Sequence, residues 1–302
     1  MNGRLECNSI IKQYKDGRTA LKSVTFDIKL SGIFALIGRN GAGKTTLVRI
    51  LATELLPTSG MASLDGNDII RDAKNVREIM AIVPQEARPI QWMTPRQTII
   101  SSLLWRGFGY GDSRKRADEV LDQFGLTGYK DKPNRFLSGG IKRKMLVATA
   151  LASEARIIFL DEPTTGLDPI SRKELWDVLN EQKKKRFIFL TTHYLEEAEA
   201  LADSIGILEN GELLAIGTME ELRSKVRYPY TVRVNGELDL SSTAGVVIQE
   251  NGGYQQIMTS REEAYSISKR LIENGVTFSI SPVSLNDIFF FFAKRRVDGE
   301  KE

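Results

Sequence analysis

At 302 residues the chain is long enough for two domains, and its 41% hydrophobic and 27% charged content is that of an ordinary globular protein. A formal net charge of +3 is too small over this length to argue for a nucleic-acid partner. The single cysteine, Cys7, excludes a disulfide frame and a cysteine-based zinc site, and no apolar run approaches the roughly 20 residues that span a bilayer. The mixed, polar start at 1–8 does not read as a signal peptide. A reduced, cytosolic setting is expected, with any membrane part of its work on another chain.

In chain order, the alternation at 21–28 predicts antiparallel strands, with Tyr14 a little upstream. A continuous apolar run at 33–37 predicts a strand buried on both faces. It is followed by GRNGAGKTT at 38–46 and then by Leu47, Ile50, Leu51 and Leu55 at helical spacing. A strand around 79–83 ends in VPQE, which carries Gln85. From 94 to 128 the pattern is helical, with Leu103, Leu104, Val120, Leu121 and Phe124 apolar. LSGGIKRKM starts at Leu137, and IIFLDEP follows it at Ile157. Another apolar strand at 187–192 leads to TTHYLEEAE, where His193 is the chain's one histidine. Composition changes near Tyr228-Pro229. Beyond it a strand at 230–234, a helix at 261–274, a strand at 276–280 and a helix at 285–295 are expected. The basic run at 183–186 reads as a helix C-terminus.

The glycine-rich stretch after an apolar strand and before an amphipathic helix has the context of a phosphate loop. Its backbone N–H groups at Asn40, Gly41, Ala42, Gly43, Thr45 and Thr46 would turn toward phosphate oxygens, aided by the helix's positive end. Lys44 would reach the β- and γ-phosphates, and the Thr45 hydroxyl would ligate Mg²⁺. Asp161, at a buried strand's carboxyl end, is placed to hold Mg²⁺, and Glu162 is the candidate general base. Strand ends often carry acids, so that pair draws its weight from its order after Lys44. Ser138-Gly139-Gly140 is by itself only a Ser-capped helix start. Such a start is nonetheless an anion site, and one phosphate loop already serves the chain's own nucleotide, so this site is free for a nucleotide on a partner.

Together and in this order, these motifs over about residues 4–224 resemble the ATP-binding-cassette (ABC) ATPases. The resemblance implies an α/β fold: a P-loop NTPase (RecA-like) core with an antiparallel β subdomain and an inserted helical subdomain at about 87–150. It also implies two cassettes sandwiching two ATP molecules, each nucleotide held by one copy's phosphate loop and the other's Ser138, Gly139 and Gly140. Gln85 resembles the family's Mg²⁺- and water-sensing glutamine. Asp168, in GLDP, resembles the residue that couples the two sites. His193 resembles the switch histidine at the γ-phosphate, and Tyr14 the aromatic that stacks on adenine. Ile141 stands where many members carry Gln, and Ser31-Gly32 where an acidic residue plus Gly is common.

The tail, 229–302, resembles a small α+β accessory domain on ATPase subunits of ABC-2-type exporters, through its position and the ending SLNDIFF. The four phenylalanines at 289–292 read first as packing on the tail's own sheet and second as a partner contact. The expected domains are therefore 1–224 and 229–302. The expected function is an ATPase, with ATP and Mg²⁺, that powers a separate multi-pass transmembrane permease for export, pairs with a second copy of itself and sits peripherally on the inner face of the cell membrane. A helix of the permease would dock between insert and core near Gln85 and Trp92, with Arg96 as an exposed insert position. A non-transport cassette acting on ribosome or nucleic acid, or a nucleotide-dependent switch, remains an alternative.

Overall fold

The computed structural model describes residues 3–226, 228–235, 245–251 and 254–297. The chain divides into two compact units, Met1–Leu213 and Leu214–Glu302. The first opens with β1 (Arg4–Gln13) and β2 (Thr19–Lys29), paired antiparallel. Then come β3 (Ile33–Ile37), α1 (Lys44–Leu51), β4 (Ser59–Leu64) and β5 (Asn67–Asp68). An antiparallel sheet of order β2-β1-β4-β5 results. Leu5, Cys7, Phe26 and Ile28 are buried while Glu6 and Asp27 between them are exposed. This period of two leaves one sheet face for the core.

Next follow α2 (Ala73–Ile79), β6 (Met80–Val83), α3 (Pro95–Trp105), α4 (Tyr110–Gln123) and α5 (Gly139–Ala152). β7 (Ile157–Asp161), α6 (Pro169–Gln182), β8 (Phe187–Thr192), α7 (Leu195–Leu201), β9 (Ser204–Glu209) and β10 (Glu212–Gly217) complete the series. The second sheet has order β10-β9-β3-β8-β7-β6, and its β9–β3, β3–β8, β8–β7 and β7–β6 pairs are parallel. Every residue of β3, β7 and β8 is buried, as a parallel sheet covered on both faces requires. Phe34, Phe189 and Phe159 cross its middle with ring centroids 5.0 and 5.5 Å apart.

The insert is helical because its local signals agree. Thr94 accepts from Gln97 N at 3.2 Å and Gln97 Oε1 accepts from Thr94 N at 2.9 Å, a reciprocal cap ahead of Pro95. Ile99, Leu103, Ala117 and Leu121 then meet in its core. Arg96 corrects the sequence expectation. It is 20% exposed in its side chain and bound to Asp118 and Asp131, both at 2.9 Å, so it ties the insert together rather than presenting a free charge.

The boundary between the two units falls inside β10, ahead of the composition change near 228. The second unit holds α8 (Met219–Ser224), β11 (Tyr230–Asn235), β12 (Gly245–Asn251), β13 (Tyr254–Thr259), α9 (Arg261–Glu273), β14 (Phe278–Pro282) and α10 (Leu285–Val297). Its antiparallel sheet has order β12-β13-β11-β14. Val232 and Val234 pack on Ala264, Ile267 and Leu271 of α9. The last strand begins two residues later than the pattern predicts. Gly275, at φ +66, ends α9, and Val276 N donates to Leu271 O at 3.0 Å, so Val276 closes the helix instead of opening the strand. Phe289 and Phe291 are buried and Phe290 and Phe292 partly so, which is the packing reading of the tract. Beside them Asp287 is fully buried and accepts from Thr231 Oγ1, Gln256 Nε2 and the backbone N–H and hydroxyl of Ser284.

Candidate active site

β3 ends at Ile37 and α1 begins at Lys44, so residues 38–43 must turn the chain within the space above the parallel sheet. A Cβ on Gly38 would lie 2.2 Å from Leu208 O, and one on Gly43, at φ +109, would lie 2.6 Å from Ala20 O. Only glycine fits at either position. No side chain caps α1, and its first turn carries no acid. Its leading N–H groups are left available to an anion. Lys44 is 5% exposed and folds back over the loop, donating to Gly38 O at 2.8 Å and Arg39 O at 3.1 Å. Its Nζ also lies 3.4 Å from Glu162 Oε1.

Asp161 closes β7, which lies between β6 and β8, and Glu162 follows it. Asp161 accepts from Thr191 Oγ1 of the neighbouring strand at 2.5 Å. Glu162 sits at φ +50, in the left-handed region that a side-chain-bearing residue seldom adopts. Such a conformation costs on the order of 1–3 kcal/mol, and it is held by Glu162 N donating to both Thr191 O at 3.1 Å and Thr191 Oγ1 at 3.0 Å. The bend aims the carboxylate at the phosphate loop. Glu162 Oε2 lies 3.2 Å from Gln85 Nε2, 3.1 Å from Thr165 Oγ1 and 3.0 Å from His193 Nδ1. Lys44, Gln85 and His193, scattered over the sequence, thus share one buried carboxylate. Beneath the His193 loop, Trp176 Nε1 donates to Glu197 at 3.1 Å. Burial pushes the Glu197 carboxyl above its ordinary value, against the hydrogen bond from Trp176.

The other expected residues stand apart from this cluster. Ser138 and Gly139 are exposed, and Ser138 Oγ accepts from Ile141 N at 3.3 Å as the cap of α5. A Cβ on Gly140 would lie 3.2 Å from Leu167 Cδ2. Asp168 is exposed and caps α6, accepting from Ile170 N and Ser171 N at 3.0 Å each. Those bonds, led by the one from Ser171, hold its carboxyl below the usual carboxylate range. Tyr14 is half-buried, with its hydroxyl 3.2 Å from Thr46 Oγ1. Arg18 and Lys12 lie over its ring, 4.9 and 5.5 Å from the centroid.

Two residues of the site carry no recognisable motif. Thr191 braces both acids, and Arg143 packs behind them. The basic run 142–144 is the one sequence trace of Arg143, and nothing in it separates the buried Arg143 and Lys144 from the partly exposed Lys142. Among the described residues no group of three or more His, Cys, Asp or Glu side chains could hold a metal unaided. Asp161, Thr45 and Gln85 supply one carboxylate, one hydroxyl and one amide. That sparse all-oxygen set fits a magnesium ion that takes its remaining ligands from water and phosphate.

Known proteins share the sequence and the fold of the cassette. Residues 21–165 match the family model described as "ABC transporter". The daunorubicin/doxorubicin resistance ATP-binding protein DrrA of Streptomyces peucetius is 30% identical over 300 residues, covering 94% of this chain and 91% of that protein. A solved ATP-binding subunit of an ABC transporter superposes with a TM-score of 0.65 at 30% identity, covering 73% of this chain and 92% of that one. A dimeric ATP-binding cassette in a post-hydrolysis state, bound to ADP and Pi, superposes at 0.66 with 25% identity, covering 71% and 98%. The chain belongs to the ABC transporter family, as an ATP-binding and ATP-hydrolysing subunit.

Proposed function

We propose that this ATPase drives export through a separate multi-pass permease, with Glu162 as the base of hydrolysis. The observation that carries the reading is the convergence of Lys44, Gln85 and His193 on the Glu162 carboxylate. Lys44 has three protons and spends two on Gly38 O and Arg39 O. A γ-phosphate at the α1 N-terminus would draw the third away from Glu162 Oε1. That oxygen then accepts a proton from the water that attacks the γ-phosphorus as the β–γ bridging bond breaks. Gln85 and His193 hold the carboxylate and water in line. Thr45, Gln85 and Asp161 would hold Mg²⁺, which when bound offsets the negative charge of the phosphates. Tyr14 would stack on adenine in place of one of its cationic neighbours. Ser138, Gly139, Gly140 and Asp168, turned outward, would complete the site of a second copy. We assign the cassette to 1–224 and an accessory role to 229–302.

Among the described residues no helix is long and apolar enough to cross a membrane. A groove of about 400 Å³ runs between the insert and β6, lined by Met80, Ala87, Ser102, Arg106 and Leu146. Trp105, Trp92 and Leu104 stand exposed on the insert. Arg106 donates to Met80 O, and burial pulls its guanidinium below the ordinary arginine range. A cytoplasmic helix of the permease fits this groove, on the inner face of the membrane. The test is co-purification from detergent-solubilised membranes. A multi-pass membrane protein should come with the wild type and be lost in Arg106→Glu, whose isolated ATPase activity persists. Recovery with ribosomes or DNA and no membrane protein overturns the transport reading and leaves the ATPase chemistry standing.

A further inference from the structure

Arg143 lies on α5, one and a half turns beyond Ser138, and is 8% exposed. Its guanidinium spreads over five backbone oxygens. Nε donates to Pro163 O at 3.2 Å, Nη1 to Pro84 O at 2.8 Å and Gln85 O at 3.4 Å, and Nη2 to Asp161 O and to Glu162 O at 3.0 Å. These carbonyls sit where β6 and β7, neighbouring parallel strands, leave their sheet. The β6–β7 ladder ends at Val83 and Leu160, so these carbonyls lie beyond its pairing and would be costly to bury unpaired. Burial pulls the guanidinium below its ordinary range, while the Asp161, Glu162 and Glu197 carboxylates pull it back. The planar fork of arginine reaches two loops at once, whereas a lysine ammonium is a single point with three donors.

We infer that Arg143 is a positioning residue, clamping the backbones that carry Gln85 and Glu162 to the helix that begins at Ser138. Two loops that act on the chain's own nucleotide are thereby fixed to the helix whose start faces away from it. A shift of α5 on meeting a second copy is delivered through one rigid side chain to the Gln85–Glu162 pair, which is 3.2 Å apart. The strained backbone of Glu162 is held from the other side by Thr191, so the clamp and the neighbouring strand fix the carboxylate between them. The inference rests on Glu162 as the base and Ser138 as the contact with the second copy.

The test measures binding, turnover and local opening separately in the full chain. Arg143→Met should keep MgATP affinity within about threefold while kcat falls about 100-fold, the penalty of a misplaced catalytic group. Amide exchange should accelerate at Gln85, Glu86, Asp161, Glu162 and Thr164 but not in α1. Arg143→Lys, which keeps the charge and most of the stem, should still lose about tenfold in kcat. Wild-type kcat in either folded variant overturns the inference. So does a loss of affinity that matches the loss of turnover, or failure of both variants to fold, since either outcome assigns Arg143 to binding or to structural support alone. Glu162→Gln serves as the control: wild-type turnover there sinks the base assignment, whereas slow Glu162→Gln beside normal Arg143→Met sinks only the clamp.

Discussion

The helix starts of α1 and α5 both carry glycines, Gly43 just ahead of α1 and Gly139 and Gly140 in the first turn of α5, and are finished in opposite ways. At α1 no side chain caps the leading N–H groups, and Lys44 and Glu162 pack over the turn with side chains 4% and 6% exposed. At α5 the chain's own Ser138 occupies the cap, and Ser138 and Gly139 face solvent. The first start is enclosed by residues of its own chain, with charges paired before any ligand arrives. The second has no such enclosure and can be completed from outside. Burial separates the two. A low-dielectric turn surrounded by strand ends strengthens every charge placed in it, while an exposed cap relies on a partner to exclude water.

The enclosed region should break most severely. Glu162→Gln removes the charge but keeps the shape, and should slow hydrolysis about 10²–10⁴-fold while ATP binding persists. Single-turnover kinetics beside equilibrium binding checks this, and hydrolysis at the wild-type rate would remove Glu162 from the base role. Next in size is the exposed region. Ser138→Arg should reduce turnover about 100-fold, yet leave nucleotide binding by the single chain unchanged, as read by titration with a fluorescent ATP analogue. If Ser138→Arg alone retains full activity, α5 is merely a capped helix and the contrast between the two starts has no functional meaning. The smallest effect concerns Tyr14, at the edge of the enclosed region. Tyr14→Ala should weaken ATP by about 1–3 kcal/mol through lost base stacking, roughly fivefold to 150-fold in Kd. Tyr14→Phe should lose little, and equal loss in both would transfer the contribution to the hydroxyl contact with Thr46.

Much of the enclosed region was legible in the chain because its constraints are local. A strand, a tight turn and a helix start must follow one another within a few residues. The apolar runs in β3, β7 and β8 are of strand length and separated by helical patterns, which suggests strands covered on both faces. Where local signals compete, the sequence pattern misplaces the end of an element. Val276 is β-branched and follows a glycine, which favours a strand, yet its N–H is taken by the closing turn of α9. Arg96 reads as an exposed insert position in the sequence, because Asp118 and Asp131 lie far along the chain and only the folded insert brings them to it.

The sequence by itself determined which chemistry this protein can perform. Glycines at 38 and 43, Lys44, the Asp161-Glu162 pair and His193 appear in an order that a nucleotide-hydrolysing cassette requires, and residue identity alone fixes their donors, acceptors and charges. The tertiary structure decided which of them meet. Gln85, Lys44, His193 and Glu162 converge because parallel strands end side by side at one edge of the sheet, and a carboxylate's partners are set by that adjacency, not by spacing along the chain. The role of Arg143 belongs wholly to the fold. Its five acceptors are backbone carbonyls, which every residue possesses, so no pattern of side chains could announce where they would gather.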